Sequence, residues 1–396
     1  MVPNGKTWIE LSRKALRSNI AQIRKRIGPR VKLWAAVKSN AYGHGLLDFS
    51  RLADPVRGRE DSQRVPLETK YLTGRASASN GAGVDGFCVD SVVEGAKLRG
   101  EGIKKPILVL GPTFRPFLKD AVQKNITITI SNFDAFAEYL KSRVRPAFHL
   151  KIDTGMHRQG FCPDDLTRLI GKVKSSKLKV ESLLTGIYTH FASAKDINRP
   201  TFTELQFAHF MRATAALKRA GVAKLIRHAA GTGGMLLNVR YHMDAVRVGI
   251  GLYGLWPSKE LALQIKNFKP HPVLSWHSAV SEIKQLDAGE YVSYDLTERL
   301  TKPTKVAIVP VGYWQGYSWR LSRIGEVIIR GARCRVLGRV TMDLIMVDVT
   351  KISARRGDRV TLIGGTVTPY ELAEKVGTSH YEIITRLNPL ILKVPR

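Results

Sequence analysis

Residues 31–45 read VKLWAAVKSNAYGHG, and they hold both the repeating unit of the fold and a candidate reactive side chain. The short apolar run Val31–Val37 predicts a buried β-strand. Lys38 follows the strand directly, and Gly43 and Gly45 let the backbone turn after it. Helical stretches and further short apolar strands alternate from this point through residue 248, so the fold is a repetition of this strand-and-helix unit.

Eight strand candidates occur in this part of the chain, with helical patterns such as Ser91–Arg99 and Phe202–Ala220 between them. Strand–helix alternation predicts a parallel sheet, and eight units predict a closed (β/α)₈ TIM barrel. The predicted strands are Val31–Val37, Asp85–Val89, Pro106–Leu110, Thr127–Ser131, Ala147–Ile152, Leu183–Tyr188, Leu225–Ala229 and Asp244–Val248.

The pattern changes near residue 260, where β-rich runs separated by turns replace the helical period. We expect a barrel domain over residues 1–260 and a mostly antiparallel β domain over 261–396. Residues 51–80 are rich in charge, Gly and Ser, with two interrupting prolines, and predict an insertion in the barrel domain.

The 396 residues include 63 Lys and Arg against 33 Asp and Glu, a net charge of +30. Such a balance can indicate binding to nucleic acid or an anionic membrane. The positive residues are spread along the whole chain without a basic block or a nucleic-acid-binding signature, so we expect neither partner. Three widely spaced cysteines, no membrane-length apolar run and no secretory signal favour a cytoplasmic protein without a metal site.

Lys38 stands where the strands of a TIM barrel present catalytic groups, just beyond the carboxyl end of a strand. A lysine in this position can form a Schiff base with an aldehyde cofactor. An isolated lysine is more often an ordinary surface residue. The following Tyr42-Gly43-His44-Gly45 makes the stretch specific, because it resembles the motif A-V-x-K-A-N-A-Y-G-H-G of alanine racemases. That resemblance implies pyridoxal 5'-phosphate on Lys38, with Tyr42 among the cofactor-binding residues.

Residues 151–161 resemble a second motif of the same family, D-T-G-M-x-R-x-G. By this resemblance Arg158 binds the substrate carboxylate, a task suited to a planar guanidinium. Lys151 matches a position that is carbamylated in some family members, and a solvated strand-end lysine is an equal alternative.

Three further barrel segments match the family. His190 ends the sixth strand, and glycine-rich loops follow the seventh and eighth strands, where barrels commonly bind phosphate. The resemblance implies that His190, Thr232, Arg247, Gly249 and Ile250 contact the cofactor, with Arg247 facing the pyridine nitrogen. Gly231 stands where the family usually has Asn.

Racemisation needs one base on each face of the α-carbon, and Lys38 is only one. The resemblance supplies Tyr294 as the second base and the Met342 backbone as a contact of the substrate carboxylate. It also implies a head-to-tail homodimer in which both residues serve the partner's site. Residues 312–317, GYWQGY, depart from the usual G-Y-A-D-G-Y by losing the acid.

Seven motifs in family order therefore predict interconversion of L-alanine and D-alanine, supplying D-alanine for peptidoglycan. The alternatives are a racemase of broader amino-acid specificity, a barrel-type decarboxylase with the same cofactor, and a cofactor-binding protein without enzymatic activity.

Overall fold

The computed structural model describes residues 6–54, 83–175, 180–222 and 224–396. The predicted insertion near 51–80 lies outside the described residues from residue 55 onward. The chain divides into two compact units. The barrel unit comprises residues 16–37 and 50–271, and the sheet unit comprises residues 1–15, 38–49 and 272–396.

Among the described residues, eight parallel strands form the barrel unit, as predicted. They pair as two four-stranded sheets, which a parallel bridge between Leu108 and Thr127 joins on one side. On the other side Asp244 N–H donates to the Arg227 carbonyl oxygen over 3.0 Å. The strands are Lys32–Ala36, Gly86–Val89, Ile107–Val109, Ile128–Ile130, Phe148–Lys151, Leu184–Tyr188, Ile226–His228 and Ala245–Val248.

Helices accompany these strands, and some of them begin at a capping side chain. Ser91 Oγ accepts from Glu94 N–H, and Asn132 Oδ1 accepts from Ala135 N–H, which satisfies backbone donors that have no partner inside a helix. The helices are Arg13–Ile27, Leu46–Ala53, Val92–Gly100, Leu118–Gln123, Phe133–Lys141, Leu166–Ser175, Pro200–Arg219, Thr232–Leu237 and Lys259–Gln264. Short 3₁₀ turns span Arg115–Phe117, Pro163–Asp165, Val180–Leu183 and Val239–Tyr241.

A nine-stranded, mostly antiparallel sheet forms the sheet unit. In spatial order its strands are Glu282–Leu286, Thr304–Val309, Ile345–Asp348, Ala332–Leu337, Glu326–Ile329, Arg359–Ile363, Leu274–Ala279, Thr7–Leu11 and Leu392–Pro395. Helices Pro369–Val376 and His380–Thr385 accompany the sheet, with 3₁₀ turns at Tyr294–Leu296, Tyr313–Gln315 and Trp319–Leu321.

The strand Thr7–Leu11 lies in this sheet, although it belongs to the range 1–260 expected for the barrel domain. It pairs antiparallel with Leu274–Ala279 and parallel with Leu392–Pro395. Its side chains Trp8, Ile9 and Leu11 are fully or almost fully buried, so burial of this apolar strand against the later ones explains its place.

No helix among the described residues is long and apolar enough to cross a membrane.

Replacement of Ile9 by Ala tests the contribution of the first strand. The side chain is 0% exposed, so we expect the unfolding free energy to fall by about 2–5 kcal/mol. Urea unfolding followed by circular dichroism measures the loss, with the exposed Lys14→Ala as control. A loss as small as that of the control would mean that the first strand contributes little to the sheet.

Candidate active site

The predicted site residues are divided between the two units. The barrel unit contains Lys151, Arg158, His190, Thr232, Arg247, Gly249 and Ile250, whereas the sheet unit contains Lys38, Tyr42, Tyr294 and Met342. No group of three or more metal-ligating side chains occurs among the described residues.

Arg247, in the last barrel strand, is a buried cation with neutral partners. Its Nη1 donates to His228, at Nδ1 over 2.6 Å and at the carbonyl oxygen over 3.1 Å. Its Nη2 donates to the carbonyl oxygens of Thr189 and Ala229, over 2.7 and 3.0 Å, and lies 3.2 Å from Nδ1 of His190.

The charge of Arg247 is costly in this setting. Burial lowers the pKa of the guanidinium, and no carboxylate of the described residues lies within ion-pair distance of it. A buried charge without a counterion is strongly unfavourable. The Nε–H also donates to no acceptor in the described part of the chain, so this side chain can still donate to an acceptor atom of a ligand, such as a pyridine nitrogen.

Two buried histidines continue the network behind Arg247. A guanidinium can only donate, so Nδ1 of His228 is an unprotonated acceptor. Its proton is then on Nε2, which lies 2.9 Å from Nδ1 of His149. Burial, followed by the nearby charge of Arg247, lowers the pKa of His149 to about 3 and that of His228 well below its usual value. Both rings are therefore neutral, and the positive charge stays on Arg247.

Tyr188 packs between these groups. Its ring stacks on His228 with centroids 4.8 Å apart and planes 8° apart, and the Arg247 Cζ lies 4.9 Å from its centroid. The hydroxyl is 3.0 Å from Thr129 Oγ1. Burial raises the pKa of Tyr188 to about 12, so it remains a neutral packing surface for the cation.

The glycine-rich loops after the seventh and eighth strands are tied together. Thr232 Oγ1 accepts from the Gly251 N–H over 3.3 Å. A Cβ at Gly251 would lie 2.8 Å from Thr232 Cγ2, so only glycine allows this approach. Gly249 and the buried Ile250 lie in the second loop. Paired loops in this position of a barrel are suited to binding a phosphate group.

The loop after the fifth strand turns around Asp153. Its Oδ1 accepts from the N–H groups of Gly155, Met156 and His157 over 2.9–3.0 Å. Burial alone would raise the pKa of the Asp153 carboxyl, but these hydrogen bonds and the charge of His157 lower it. The loop leaves Arg158 exposed.

Lys151 is 5% exposed, and its Nζ donates to Oε1 of Gln159 over 3.0 Å. An unmodified lysine is thus accommodated by an amide oxygen. Carbamylation of Lys151 stays a prediction.

Lys38 begins a left-handed turn. Ser39, Asn40, Ala41 and Tyr42 have φ between 50° and 55°, a conformation that costs L-residues roughly 1–2 kcal/mol each. The turn is held within the sheet unit, where a Cβ at Gly43 would collide with the carbonyl oxygen of Ile384 at 1.9 Å. Strain of this kind concentrates at functional sites.

Tyr42 ends this turn beside a second tyrosine. Its ring centroid lies 6.2 Å from that of Tyr381. Burial, with the neighbouring Tyr42 and Tyr370 as smaller contributions, raises the pKa of Tyr381 above its usual value. Tyr381 therefore stays protonated at neutral pH.

Tyr294 stands at the tip of a hairpin and is 68% exposed. An antiparallel bridge joins Tyr291 to Arg299 at the base of the hairpin. Ser293, Asp295 and Leu296 around the tip have φ of 69°, 62° and 48°.

A buried carboxylate anchors one side of this hairpin. Glu298 is 7% exposed, and its oxygens lie 3.2 Å from Arg323 Nε and 2.6 Å from Arg335 Nη2. Burial would raise the pKa of this carboxyl, but the two arginines lower it. The anchored stem presents the phenol of Tyr294 outward.

Met342 lies on a turn that packs against the segment 312–317. Tyr313 N–H donates to the Thr341 carbonyl oxygen and Trp314 N–H to that of Met342, both over 3.0 Å. Gln315, where the family has an acid, donates from Nε2 to Asp343 Oδ1 over 2.9 Å. The Met342 N–H has no acceptor among the described residues, so it is available to a substrate carboxylate.

Sequence reasoning did not identify His149 and His228 as parts of the site. A signal was present, because alternation along the fifth strand puts His149 on the same face as Lys151. A histidine in a strand predicted to be buried needs a hydrogen-bonding partner, and that requirement could have indicated the network.

Comparisons with known proteins identify a single family. Residues 11–58 and 72–257 match the family described as alanine racemase, N-terminal domain, and residues 273–395 match alanine racemase, C-terminal domain. An alanine racemase of Leptospira interrogans is 35% identical over 401 residues, which cover 98% of this chain and 95% of that protein. One of Symbiobacterium thermophilum is 37% identical over 401 residues, covering 98% and 96%.

Solved structures are similar over the full length. The crystal structure of alanine racemase from Bacillus anthracis with bound L-Ala-P has a TM-score of 0.86 at 30% identity, covering 99% of this chain and 95% of that chain. The alanine racemase of E. faecalis has a TM-score of 0.84 at 26% identity, covering all of both chains. The predicted fold class, a TIM barrel followed by an antiparallel β domain, is confirmed.

Replacement of His149 by Gln tests the neutral histidine network through the pH dependence of stability. The pKa of His149 is about 3 in the folded protein and roughly 6.5 in an unfolded chain. The unfolded chain therefore binds an extra proton between these values. The stability that His149 contributes is present above pH ~6.5 and lost as the pH falls toward 3.

As the pH falls, we expect the unfolding free energy of His149→Gln to decrease less steeply than that of the parent. Well below pH ~6.5 the two slopes should differ by about 1.4 kcal/mol per pH unit. Urea titrations across this range measure the slope, and the exposed His271→Gln is the control. An unchanged slope in His149→Gln would mean that His149 is not held neutral.

Proposed function

Because the chain belongs to the alanine racemase family, we propose that it interconverts L-alanine and D-alanine with pyridoxal 5'-phosphate, using Lys38 and Tyr294 as its two bases. The observation that carries the proposal is Arg247, a buried guanidinium that has neutral partners and a free Nε–H. A pyridine nitrogen that accepts this hydrogen bond fits the donor set. A protonated pyridine nitrogen does not fit, because it would add a second positive charge beside the guanidinium. A metal ion does not fit either, because it would also be positive and would compete for the acceptors that Arg247 uses.

The residues that the family resemblance identifies would hold the cofactor. Lys38 would bind it covalently, and Arg247 would face its ring nitrogen, with His190 beside Arg247. Its phosphate would take hydrogen bonds from Tyr42, Thr232 and the backbone of Gly249 and Ile250. When bound, the cofactor supplies an electron sink that makes the α-proton of an amino acid more acidic.

Each of the two bases would transfer protons on one face of the substrate α-carbon. The Lys38 amine would take or return the α-proton of D-alanine, and the Tyr294 phenol that of L-alanine. Arg158 and the Met342 N–H would hold the substrate carboxylate, which keeps the α-carbon fixed while a proton leaves one face and another reaches the opposite face.

Exposed apolar side chains around Tyr294 and Met342 support a homodimer. Grouped on turns of the sheet unit are Leu296, Tyr313, Trp314, Trp319, Met342 and Leu344, which are between 41% and 66% exposed. A patch of this composition is typical of a protein interface. We propose that this patch packs against a second copy of the chain and places Tyr294 and Met342 in the active site of the partner.

In the cell, the protein would supply D-alanine for peptidoglycan in the cytoplasm. The basic surface would attract the carboxylate of the substrate and the anionic cofactor.

Single substitutions at the two bases test the mechanism. We expect Lys38→Ala to lose both the visible absorbance of the bound cofactor and racemase activity, because the covalent attachment is gone. Tyr294→Phe should keep that absorbance and lose racemisation by at least roughly 10²-fold, the range for a missing acid–base group. Absorbance spectra and chiral chromatography measure the two effects.

L-alanine, L-serine and L-lysine, incubated separately, test specificity in the same assay. Comparable racemisation of all three would favour the broader racemase, and release of carbon dioxide would favour the decarboxylase.

Full racemase activity in Tyr294→Phe would contradict the two-base assignment.

Leu296→Asp tests the dimer. Leu296 is 66% exposed, and a buried carboxylate at an interface is costly, so we expect the variant to dissociate at protein concentrations where the parent is dimeric. Light scattering measures the mass. Leu263→Asp, which changes a 71% exposed leucine of the barrel unit, is the control, and dimers of equal strength in both variants would exclude this face.

A further inference from the structure

The tip of the Tyr294 hairpin is held by a neighbouring residue that takes no part in the two-base chemistry described above. Arg339 lies between Gly338 and Val340, on a chain segment packed against the hairpin. A Cβ at Gly338 would lie 2.2 Å from the Val292 carbonyl oxygen. The two backbones therefore touch directly, just before Tyr294.

Arg339 contacts the residues on both sides of Tyr294. The Ser293 hydroxyl donates to the Arg339 carbonyl oxygen over 2.8 Å. On the other side, the Arg339 Nε lies 3.3 Å from Oδ2 of Asp295, a charge contact in which the Nε–H forms no hydrogen bond with any described residue. The main chain of Arg339 thus binds the residue before the tyrosine, and its side chain pairs with the residue after it.

An aromatic ring fixes the guanidinium of Arg339. Its Cζ lies 4.7 Å from the ring centroid of Trp319, within the range of a cation–π contact. Trp319 begins a 3₁₀ turn that Ser318 caps, since the Ser318 Oγ accepts from the Arg320 N–H over 3.3 Å. The arginine therefore has a defined position from which to hold Asp295.

The hairpin tip needs such support because its backbone is strained. Ser293, Asp295 and Leu296 have left-handed φ, a conformation that persists only when surrounding contacts hold it. The Arg339–Asp295 pair is partly exposed, at 28% and 67% of the two side chains. In a single chain, a pair exposed to this degree contributes little to the free energy of unfolding.

We propose that Arg339, on its Trp319 platform, is a positioning residue that sets the orientation of the Tyr294 phenol. The inference rests on the proposed role of Tyr294 as the base for L-alanine. Arg339 then governs proton transfer on one face of the α-carbon and leaves the Lys38 face unaffected.

Arg339→Met tests this asymmetry in the holoenzyme. Methionine keeps an unbranched side chain as far as the place of Nε and the backbone contact to Ser293, but it removes the charge and the planar group. The variant is incubated in D₂O with L-alanine or D-alanine, and mass spectrometry follows loss of the α-proton from each. We expect exchange of L-alanine and racemisation to fall roughly tenfold to a hundredfold, as for a misplaced reacting group. Exchange of D-alanine, through Lys38, should stay within about twofold of the parent under the same argument.

A second readout does not depend on turnover. Backbone hydrogen exchange of a peptide covering residues 289–300 should be faster in Arg339→Met, because the tip loses its support.

Arg330→Met is the matched control. Arg330 is another exposed arginine of the sheet unit, with a positive φ and a 3.4 Å pair to Asp358. Its replacement should change neither exchange rate.

Equal losses of L-alanine and D-alanine exchange in Arg339→Met would overturn the proposal, because they indicate general damage to the enzyme. Unchanged exchange of both would overturn it as well. Tyr294→Phe distinguishes a failure of the positioning role of Arg339 from a failure of the proposed base role of Tyr294. If that variant loses L-alanine exchange while Arg339→Met does not, the positioning role alone is wrong. If Tyr294→Phe keeps L-alanine exchange, the assignment of Tyr294 as a base is wrong.

Discussion

The barrel interior is organised by one unbalanced charge, the guanidinium of Arg247. Since it can only donate hydrogen bonds, each side chain or carbonyl group around it must accept. This requirement fixes the tautomer of His228, which in turn makes His149 an acceptor. The low pKa values of both histidines keep the network neutral apart from the arginine. The charge of Arg247 thus determines the protonation state of His228 directly and that of His149 through His228.

Backbone strain accompanies both proposed bases. Lys38 is followed by four residues with left-handed φ, and three residues around Tyr294 share that conformation. In each case close contacts that exclude a Cβ, at Gly43 and at Gly338, keep the strained segment in place. Strain of this kind persists only where surrounding contacts hold it, and at the Tyr294 hairpin these include the ion pairs of Glu298.

The sequence predicts the periodic parts of the fold better than the contacts inside it. All eight barrel strands and the helix Pro369–Val376 could be predicted, because burial on a repeating element leaves a period in the sequence. The membership of Thr7–Leu11 in the second sheet could not, since pairing between distant strands leaves no local signal. The left-handed turn after Lys38 was equally hidden, as none of residues 39–42 is a glycine. Motif similarity indicated Arg247 and Tyr294, but only coordinates give the partners that hold them.

The place of the first strand has a consequence for folding during synthesis. Thr7–Leu11 leaves the ribosome long before Leu274–Ala279 and Leu392–Pro395, between which it is inserted. The barrel strands can pair with one another as they emerge, whereas this apolar strand has no partner until Leu274–Ala279 has been synthesised. An unpaired strand with buried-type side chains is prone to aggregate. The nascent chain therefore carries an unpaired hydrophobic segment until the later strands of the sheet can close around it.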